Sequence, residues 1–378
     1  MKIPFFKTTI VGEESKYLYQ LLSGQDSFAE KHFVSECEKW FKDNHQLENF
    51  YLTKSCTDSL ELAALVLDIQ EGDEVILPSY SFVSCGSAFA LRGATCVYVD
   101  IHPDTMNVDE SKIEAAITPR TKAILTVNYA SVGCNYEAIR VIAAKNDLFI
   151  IEDNAHGILA EYRRGECLGT FGDISTFSFD HLKNISCGQG GGIAVNNESL
   201  LKDFFVHYEF GTNRRSFFKG DTDRYEWKNI GSNYPLSELN AAMLFAQLES
   251  AKKINTKFVY LMDLYNTHLS DLKELGKISF PLAAHDCKHN GHCFFIKAHD
   301  SDERSSLMKF LQSKEINAQF HYTPLHSSEY GKIAGRFSGE DVYTTIESAR
   351  LLRLPLFYAM TDDELNFVTD SVKEFYRA

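Results

Sequence analysis

Nowhere does this chain hold the ~20 consecutive apolar residues that a membrane-spanning helix needs. Its opening, Met1-Lys-Ile-Pro-Phe-Phe-Lys7, lacks the apolar core and small-residue cleavage site of a signal peptide. Basic charge is scarce: 38 lysines and arginines stand against 52 acidic residues, a formal net charge of −14. Phosphate backbones demand basic surface, which argues against nucleic acid as a main partner. A small anionic substrate stays open, because a few local cations override the global field. No repeat, linker or low-complexity tract interrupts the chain. Its nine cysteines are scattered and odd in number and come without an export signal, which favours free thiols over disulfides. The expectation is a cytoplasmic protein without membrane insertion. With 378 residues, 44% of them apolar, it is large enough for two domains, or for one large domain with an appendage.

What is present is organised around Asp173 to Gly192. An apolar strand-like run, Ile174 to Phe179, ends in a polar turn carrying Lys183. A glycine-rich, flexible Gly188-Gln-Gly-Gly-Gly192 and a second apolar strand, Ile193-Ala-Val195, follow. Near a buried strand end a lysine ammonium loses hydration and its pKa falls, and the neutral amine can bond covalently to an aldehyde. A lone lysine in a turn is also an ordinary surface residue. Asp153 stands 30 residues earlier, at the end of the apolar run Leu148-Phe-Ile-Ile-Glu-Asp153, which leaves room for one more strand crossover. Ligands of open α/β sheets collect at the carboxyl ends of strands. A lysine and an aspartate there suit pyridoxal phosphate, the amine holding the aldehyde and the carboxylate keeping the ring nitrogen protonated. Earlier still, Ser55 or Thr57 caps a helical run to Leu67. Such a helix start is ordinary capping, but it also receives a phosphate.

The remaining pattern alternates. Glu74–Leu77, Cys96–Asp100 and Ala123–Val127 read as strands, with helices over 110–117 and 137–145 between them. Such alternation predicts a mainly parallel sheet. Phe33, Cys37, Trp40 and Phe41 recur at helical spacing in an entry arm. Leu239, Ala242, Met243, Ala246 and Leu248 line one face of a later helix, and a domain boundary is expected near residue 250. A long helix to Leu275, strands 292–297 and 318–322, and helices 303–313 and 362–376 then make a smaller α+β domain. The run His285-Asp-Cys-Lys-His-Asn-Gly-His-Cys293 is rich in metal-binding residue types, but its Cys-x5-Cys spacing matches no zinc knuckle. No metal is expected there: a strand begins at His292, and the rest is read as a surface loop.

In this order the motifs resemble those of the DegT/DnrJ/EryC1/StrS sugar aminotransferases. The likeness runs through Ile3-Pro-Phe5, Gly72-Asp-Glu-Val-Ile-Leu-Pro78, Glu152-Asp153 with His156, and Phe177-Ser-Phe179 ahead of Lys183-Asn184. It continues through Asn240-Ala-Ala242, His321-Tyr-Thr-Pro-Leu-His326 and Leu354-Pro-Leu-Phe-Tyr358. Within the family, Ser55-Cys-Thr57, Pro103-Asp-Thr-Met-Asn107, Gly211-Thr-Asn-Arg214 and Tyr343-Thr-Thr345 look closest to the branch making dTDP-4-amino-4,6-dideoxygalactose.

The resemblance implies a fold-type I aminotransferase. Its large domain, 1–250, carries a mainly parallel seven-stranded sheet flanked by helices, and a small α+β domain spans 251–378. It implies pyridoxal phosphate as cofactor, with Lys183 and Asp153 catalytic. Ser55, Thr57, Asp58 and Ser178 hold the phosphate end, Phe82 stacks on the ring, and His156 lies at its phenolic oxygen. An asparagine matching Asn233 reaches the neighbouring subunit's cofactor in a homodimer. His321, Tyr322 and His326 belong to the substrate side, and His292 matches a position near the active-site mouth. L-Glutamate is the implied donor and dTDP-4-keto-6-deoxyglucose the acceptor at C4, for a cell-surface polysaccharide. The gluco epimer, a 3-amino sugar or sugar dehydration are the alternatives, though dehydrases of the family commonly replace the lysine by histidine. Departures from the family pattern are Asn154, Leu182, Gln189, Pro235 and the segment Asn128 to Gly133, and they bear on substrate choice.

Overall fold

The computed structural model describes residues 1–24, 28, 31–280 and 287–377. Its centre is a sheet built from β1 (Phe50–Thr53), β2 (Glu74–Pro78), β3 (Thr95–Val99), β4 (Thr121–Val127), β5 (Phe149–Asp153), β6 (Ile174–Ser178), β7 (Gly191–Val195) and, from far along the chain, β9 (Gly335–Phe337). The order is β1-β7-β6-β5-β4-β2-β3-β9. Only β7 runs against the others. The expected parallel sheet is present, with β9 as an added edge strand that makes eight rather than seven. Three residues with a glycine at their start carry no strand pattern of their own. Gly335 is needed there because a Cβ would lie 2.0 Å from the Cys96 carbonyl oxygen.

Strand residues alternate between faces. Val75 and Leu77 enter one core, with the helix Cys56–Val66 packed on it, while Ile76 enters another, beneath the helix Tyr136–Asn146. A third core joins the entry-arm helices Glu14–Leu22 and His32–His45 to the helix Glu238–Glu249 and to the C-terminal part of the chain. Phe33, Cys37 and Phe41 are fully buried in it, as their spacing predicts.

The C-terminal part departs further from expectation. Helix Ala251–His268 ends short of Leu275, and Ser270–Glu274 forms a separate turn of helix. The strand at 292–297 narrows to β8 (Phe295–Lys297), paired antiparallel with β10 (Leu351–Arg353). No strand forms over 318–322. Only Gln319 bridges to Arg353, on the edge of β10 away from β8, and one bridge makes no ladder. The helix over 110–117 is a 3-10 turn, Glu110–Lys112, running into Ile113–Ala116. The chain's start is tied to its end, since Ile3 bridges Ile316 and the Leu356 amide donates to the Phe5 carbonyl at 3.3 Å. No helix among the described residues is long and apolar enough to cross a membrane.

Candidate active site

The carboxyl ends of β1, β2, β4, β5 and β6 lie on one edge of the sheet, and a cavity of about 720 Å³ opens there. Its floor begins with the helix Cys56–Val66. Ser55 caps this helix, its Oγ accepting the Asp58 amide at 3.0 Å. The Ser55 hydroxyl in turn donates to Asp58 Oδ2 at 2.5 Å. Helix geometry leaves the amides of the first turn without intrahelical partners, so those of Cys56 and Thr57 face the cavity as an anion seat. Gly191 opens β7 against this turn. A Cβ there would sit 2.2 Å from the Ser55 carbonyl carbon, so only glycine lets strand and cap meet. At Gly192 a Cβ would meet the Phe50 ring at 2.2 Å. The glycine run read as flexible is thus close-packed at its end.

The two carboxylates closing β5 divide their work by strand alternation. Glu152 points into the protein and accepts the amides of Gly169, Phe171 and Gly172 at 2.6, 2.9 and 3.1 Å, together with the Ser175 hydroxyl and the Asn128 amide group. It is a structural anchor. Asp153 points into the cavity. Its Oδ1 accepts the Ala155 amide at 2.9 Å and its Oδ2 the Cys85 thiol at 3.0 Å. Burial pushes this carboxyl up, and the thiol, the amide and the charge of Lys183 pull it back toward ionisation. Asn154, expected beside the substrate, instead lies in the buried network, bonded to the Leu168 carbonyl and to Asn128. Alternation sends it away from Asp153.

Lys183 sits in the turn between β6 and β7. Its amide donates to the Asp180 carbonyl at 2.9 Å, and the Asn240 side chain clasps the Cys187 and Gln189 carbonyls further along the turn. The Lys183 amine makes no ion pair among the described residues, and burial first, then the positive charge of Arg353, lowers its pKa. Ser178, ending β6, lines the cavity, and neither it nor Thr57 commits its hydroxyl to another described residue. Phe82, on the loop after β2, is 52% exposed and offers the cavity a bare ring.

The opposite wall is aromatic and cationic. His156 stacks on His292, ring centroids 3.9 Å apart. Its Nδ1 accepts the Ala130 amide at 3.3 Å, which leaves the proton of the neutral ring on Nε2. His321 Nδ1 lies 3.0 Å from the Tyr129 hydroxyl, and its Nε2 lies 3.3 Å from Arg353 Nη1. All three histidines are held well below their ordinary pKa, by burial first and then by neighbouring positive charge. Tyr322, Leu182 and Gln189 also line the space. The segment read as a surface loop is buried from Asn290 onward. Asn290 bonds the carbonyls of His156 and Ile158 at 2.7 and 2.8 Å and thereby sets His292 against His156. Residues 285 and 286 of that segment lie outside the described residues.

Three expected residues do not line the cavity. Asp58 is turned to the helix cap, its carboxylate and amide both bonded to the Ser55 hydroxyl. His326 joins Ser79 Oγ (2.7 Å) to Asp341 (3.2 Å) and does not line the cavity. Asn233 borders a second, more open cavity of about 840 Å³ that also carries Lys31, Lys54, Arg214 and Arg215. Arg353 lines the cavity and was not singled out from sequence, though it left a signal, a single charge inside Leu351-Leu-Arg-Leu-Pro-Leu356. Cys85 and Tyr129, bonded to Asp153 and His321, stand behind the lining.

The donor set fits pyridoxal phosphate. An amine of lowered pKa suits the aldehyde, a buried carboxylate the ring nitrogen, the uncommitted hydroxyls of Thr57 at a helix start and Ser178 at a strand end the phosphate, and a bare aromatic face the ring.

Comparison with known proteins agrees with this geometry. Residues 8–373 match the DegT/DnrJ/EryC1/StrS aminotransferase family. GDP-perosamine synthase of Escherichia coli O157:H7 is 30% identical over 99% of this chain and 98% of its own length. NtdA of Bacillus subtilis, solved with bound cofactor PMP, superposes with a TM-score of 0.85 at 28% identity, covering 100% of this chain and 86% of that one. A DegT/DnrJ/EryC1/StrS aminotransferase of Brucella abortus superposes at 0.87 with 25% identity, over 97% and 96%. By sequence over nearly its whole length, and by fold, the chain belongs to the DegT/DnrJ/EryC1/StrS aminotransferase family.

Proposed function

We propose that this chain is a pyridoxal phosphate-dependent sugar aminotransferase. It moves the amino group of L-glutamate to the C4 ketone of dTDP-4-keto-6-deoxyglucose, giving dTDP-4-amino-4,6-dideoxygalactose for a cell-surface polysaccharide. The observation that carries the reading is the amine of Lys183, half-buried and without an ion pair among the described residues, in one cavity with Asp153 and the open helix start at Ser55.

When bound, pyridoxal phosphate supplies the electron sink that lets an amino acid give up its α-proton and its nitrogen. Ser55, Thr57, Asp58 and Ser178 hold the phosphate end, Phe82 covers the ring, and His156 offers its Nε2 proton to the phenolic oxygen. Asp153 holds a proton at the ring nitrogen. Lys183 Nζ takes the proton from the α-carbon of glutamate, then delivers one to the sugar carbon in the second half-reaction, serving as base and then acid. Burial lowers its pKa, which shifts Nζ toward the neutral form this work needs. His321 and Tyr322 border the sugar. The chain acts as a cytoplasmic homodimer in which Asn233 and the cations beside it face the neighbouring subunit's site. Division into a cofactor-binding part, 1–250, and a smaller part, 251–378, is supported by the helix break at Ser250.

A GDP-linked 4-keto-6-deoxy sugar is the second reading, favoured by the relative that makes GDP-perosamine. Incubating the enzyme with glutamate and each nucleotide keto-sugar, and reading the product by NMR, separates the two. The expected product is dTDP-linked with an axial 4-amino group. A faster reaction with the GDP-linked sugar replaces the dTDP assignment, and loss of a hydroxyl without amination replaces the aminotransferase reading with a dehydrase.

A further inference from the structure

Arg353 is the cavity's unanswered charge. It ends β10, with its backbone exchanging hydrogen bonds with Gln319 at 2.7 and 3.0 Å, so its position is set on both sides. A guanidinium carries five N–H donors and stays charged in proteins. Here one nitrogen reaches His321 Nε2 at 3.3 Å, Nε is buried without a partner, and the Phe5 ring lies 5.0 Å from the guanidinium carbon. No carboxylate lies within ion-pair distance among the described residues. Around it stand Lys183 and three histidines, none of which brings negative charge. A half-buried cation with no counter-ion among the described residues is costly, whereas a planar two-oxygen anion would satisfy its open edge through two parallel bonds.

We propose that Arg353 is the seat of the amino donor's α-carboxylate, with His321 as the positioning residue that orients the guanidinium. The inference rests on the aminotransferase reading. Two anions could come here, the donor's carboxylate and the diphosphate of the sugar nucleotide. The carboxylate is favoured by chemistry. It is bonded directly to the carbon that gives its proton to Lys183, whereas the diphosphate is held away from the sugar's C4 by the width of the ring. The phosphate-ready helix start lies on another wall of the cavity. His321 keeps the arrangement usable in both half-reactions. As a neutral ring donating through Nδ1 to Tyr129 and accepting at Nε2, it holds the guanidinium when a sugar with no charge at C4 takes the donor's place.

The test uses the cofactor-loaded enzyme with Arg353→Gln and Arg353→Lys. Each variant is expected to load pyridoxal phosphate like the parent. The glutamate concentration giving half-maximal bleaching of the cofactor band should rise about thirtyfold or more in R353Q and less in R353K. Conversion of the aminated enzyme by the keto-sugar nucleotide should stay within about threefold of the parent. Calorimetric binding of glutarate, a dicarboxylate with no amine to transfer, should weaken about tenfold or more in R353Q. Loss confined to the sugar-nucleotide arm assigns Arg353 to the diphosphate and overturns the proposal, as does loss of cofactor loading in both variants or no change in any arm. If the parent binds glutarate but no amino acid bleaches it, the aminotransferase reading fails and Arg353 is left as an anion site of another reaction.

Discussion

Asp153 and Lys183 face one cavity from adjacent turns of the sheet edge, and their environments push them in opposite directions. Burial raises the carboxyl and lowers the amine, so each is moved toward neutrality. The Cys85 thiol and the Ala155 amide restrain the carboxyl, fixing both its oxygens. Asp153→Asn preserves this shape while removing the charge that keeps a ring nitrogen protonated. It is expected to lower kcat about a hundredfold or more with cofactor binding largely kept, read by steady-state kinetics beside cofactor titration. The residues legible in sequence were those whose chemistry is rare where they stand: a lysine after an apolar strand, an aspartate ending one, a hydroxyl opening a helix. Glu152, beside that aspartate, carried no readable role, and alternation along β5 sends it inward to three amides while Asp153 faces the cavity. Arg353 stayed unread because its meaning lies in the absence of a partner, which a sequence does not display.

The cap at Ser55 and the start of β7 act as one element. Their contact is a backbone approach, so a methyl group at Gly191 must push the helix start away. Gly191→Ala is expected to destabilise the fold by about 1–3 kcal/mol and to weaken cofactor binding about tenfold or more, seen in thermal unfolding and cofactor titration. Ser55→Ala, which removes only the cap, should cost about 1 kcal/mol and weaken binding less. If the two variants behave alike, close approach is not what shapes the phosphate end. Most elements of the sheet were legible because apolar runs bounded by polar turns leave little choice of state. Those missed, β1, β9 and β10, are three or four residues long and exist through partners distant in sequence. The reverse error at 318–322 has the same origin, since a strand-like run meets the three-residue β10 at a single bridge.

Across the whole molecule, buried histidines set the response to acid. His45 is fully buried, its Nε2 accepts the Leu159 amide at 3.1 Å, and burial brings its pKa down to about 4. Its folded pKa lies below the unfolded value, so its contribution is present above about 6.5 and is lost as pH falls toward 4. The full shift corresponds to about 3 kcal/mol as an upper bound. His156, His292 and His321 act in the same sense. Glu38 opposes them: burial raises it to about 7, so its contribution is present at low pH and is lost as pH rises through 7. Asp153 and Glu61, also raised by burial, act with Glu38, but the four histidines outnumber these carboxyls, and Tm is expected to fall between pH 7 and pH 5, with a smaller fall in His45→Gln. A Tm that is flat or rising toward pH 5 would show that these rings are solvated or protonated in the fold. The central claim, that one cavity joins Lys183, Asp153 and the helix start into an amino-transfer site, is tested most directly by the visible spectrum of the purified protein. It is recorded with pyridoxal phosphate, before and after L-glutamate, beside Lys183→Ala. The expected result is a yellow band in the parent that bleaches to the pyridoxamine form with glutamate, and no glutamate-driven bleaching in the variant. A parent that binds no cofactor at saturation, or a variant that bleaches like the parent, would contradict it.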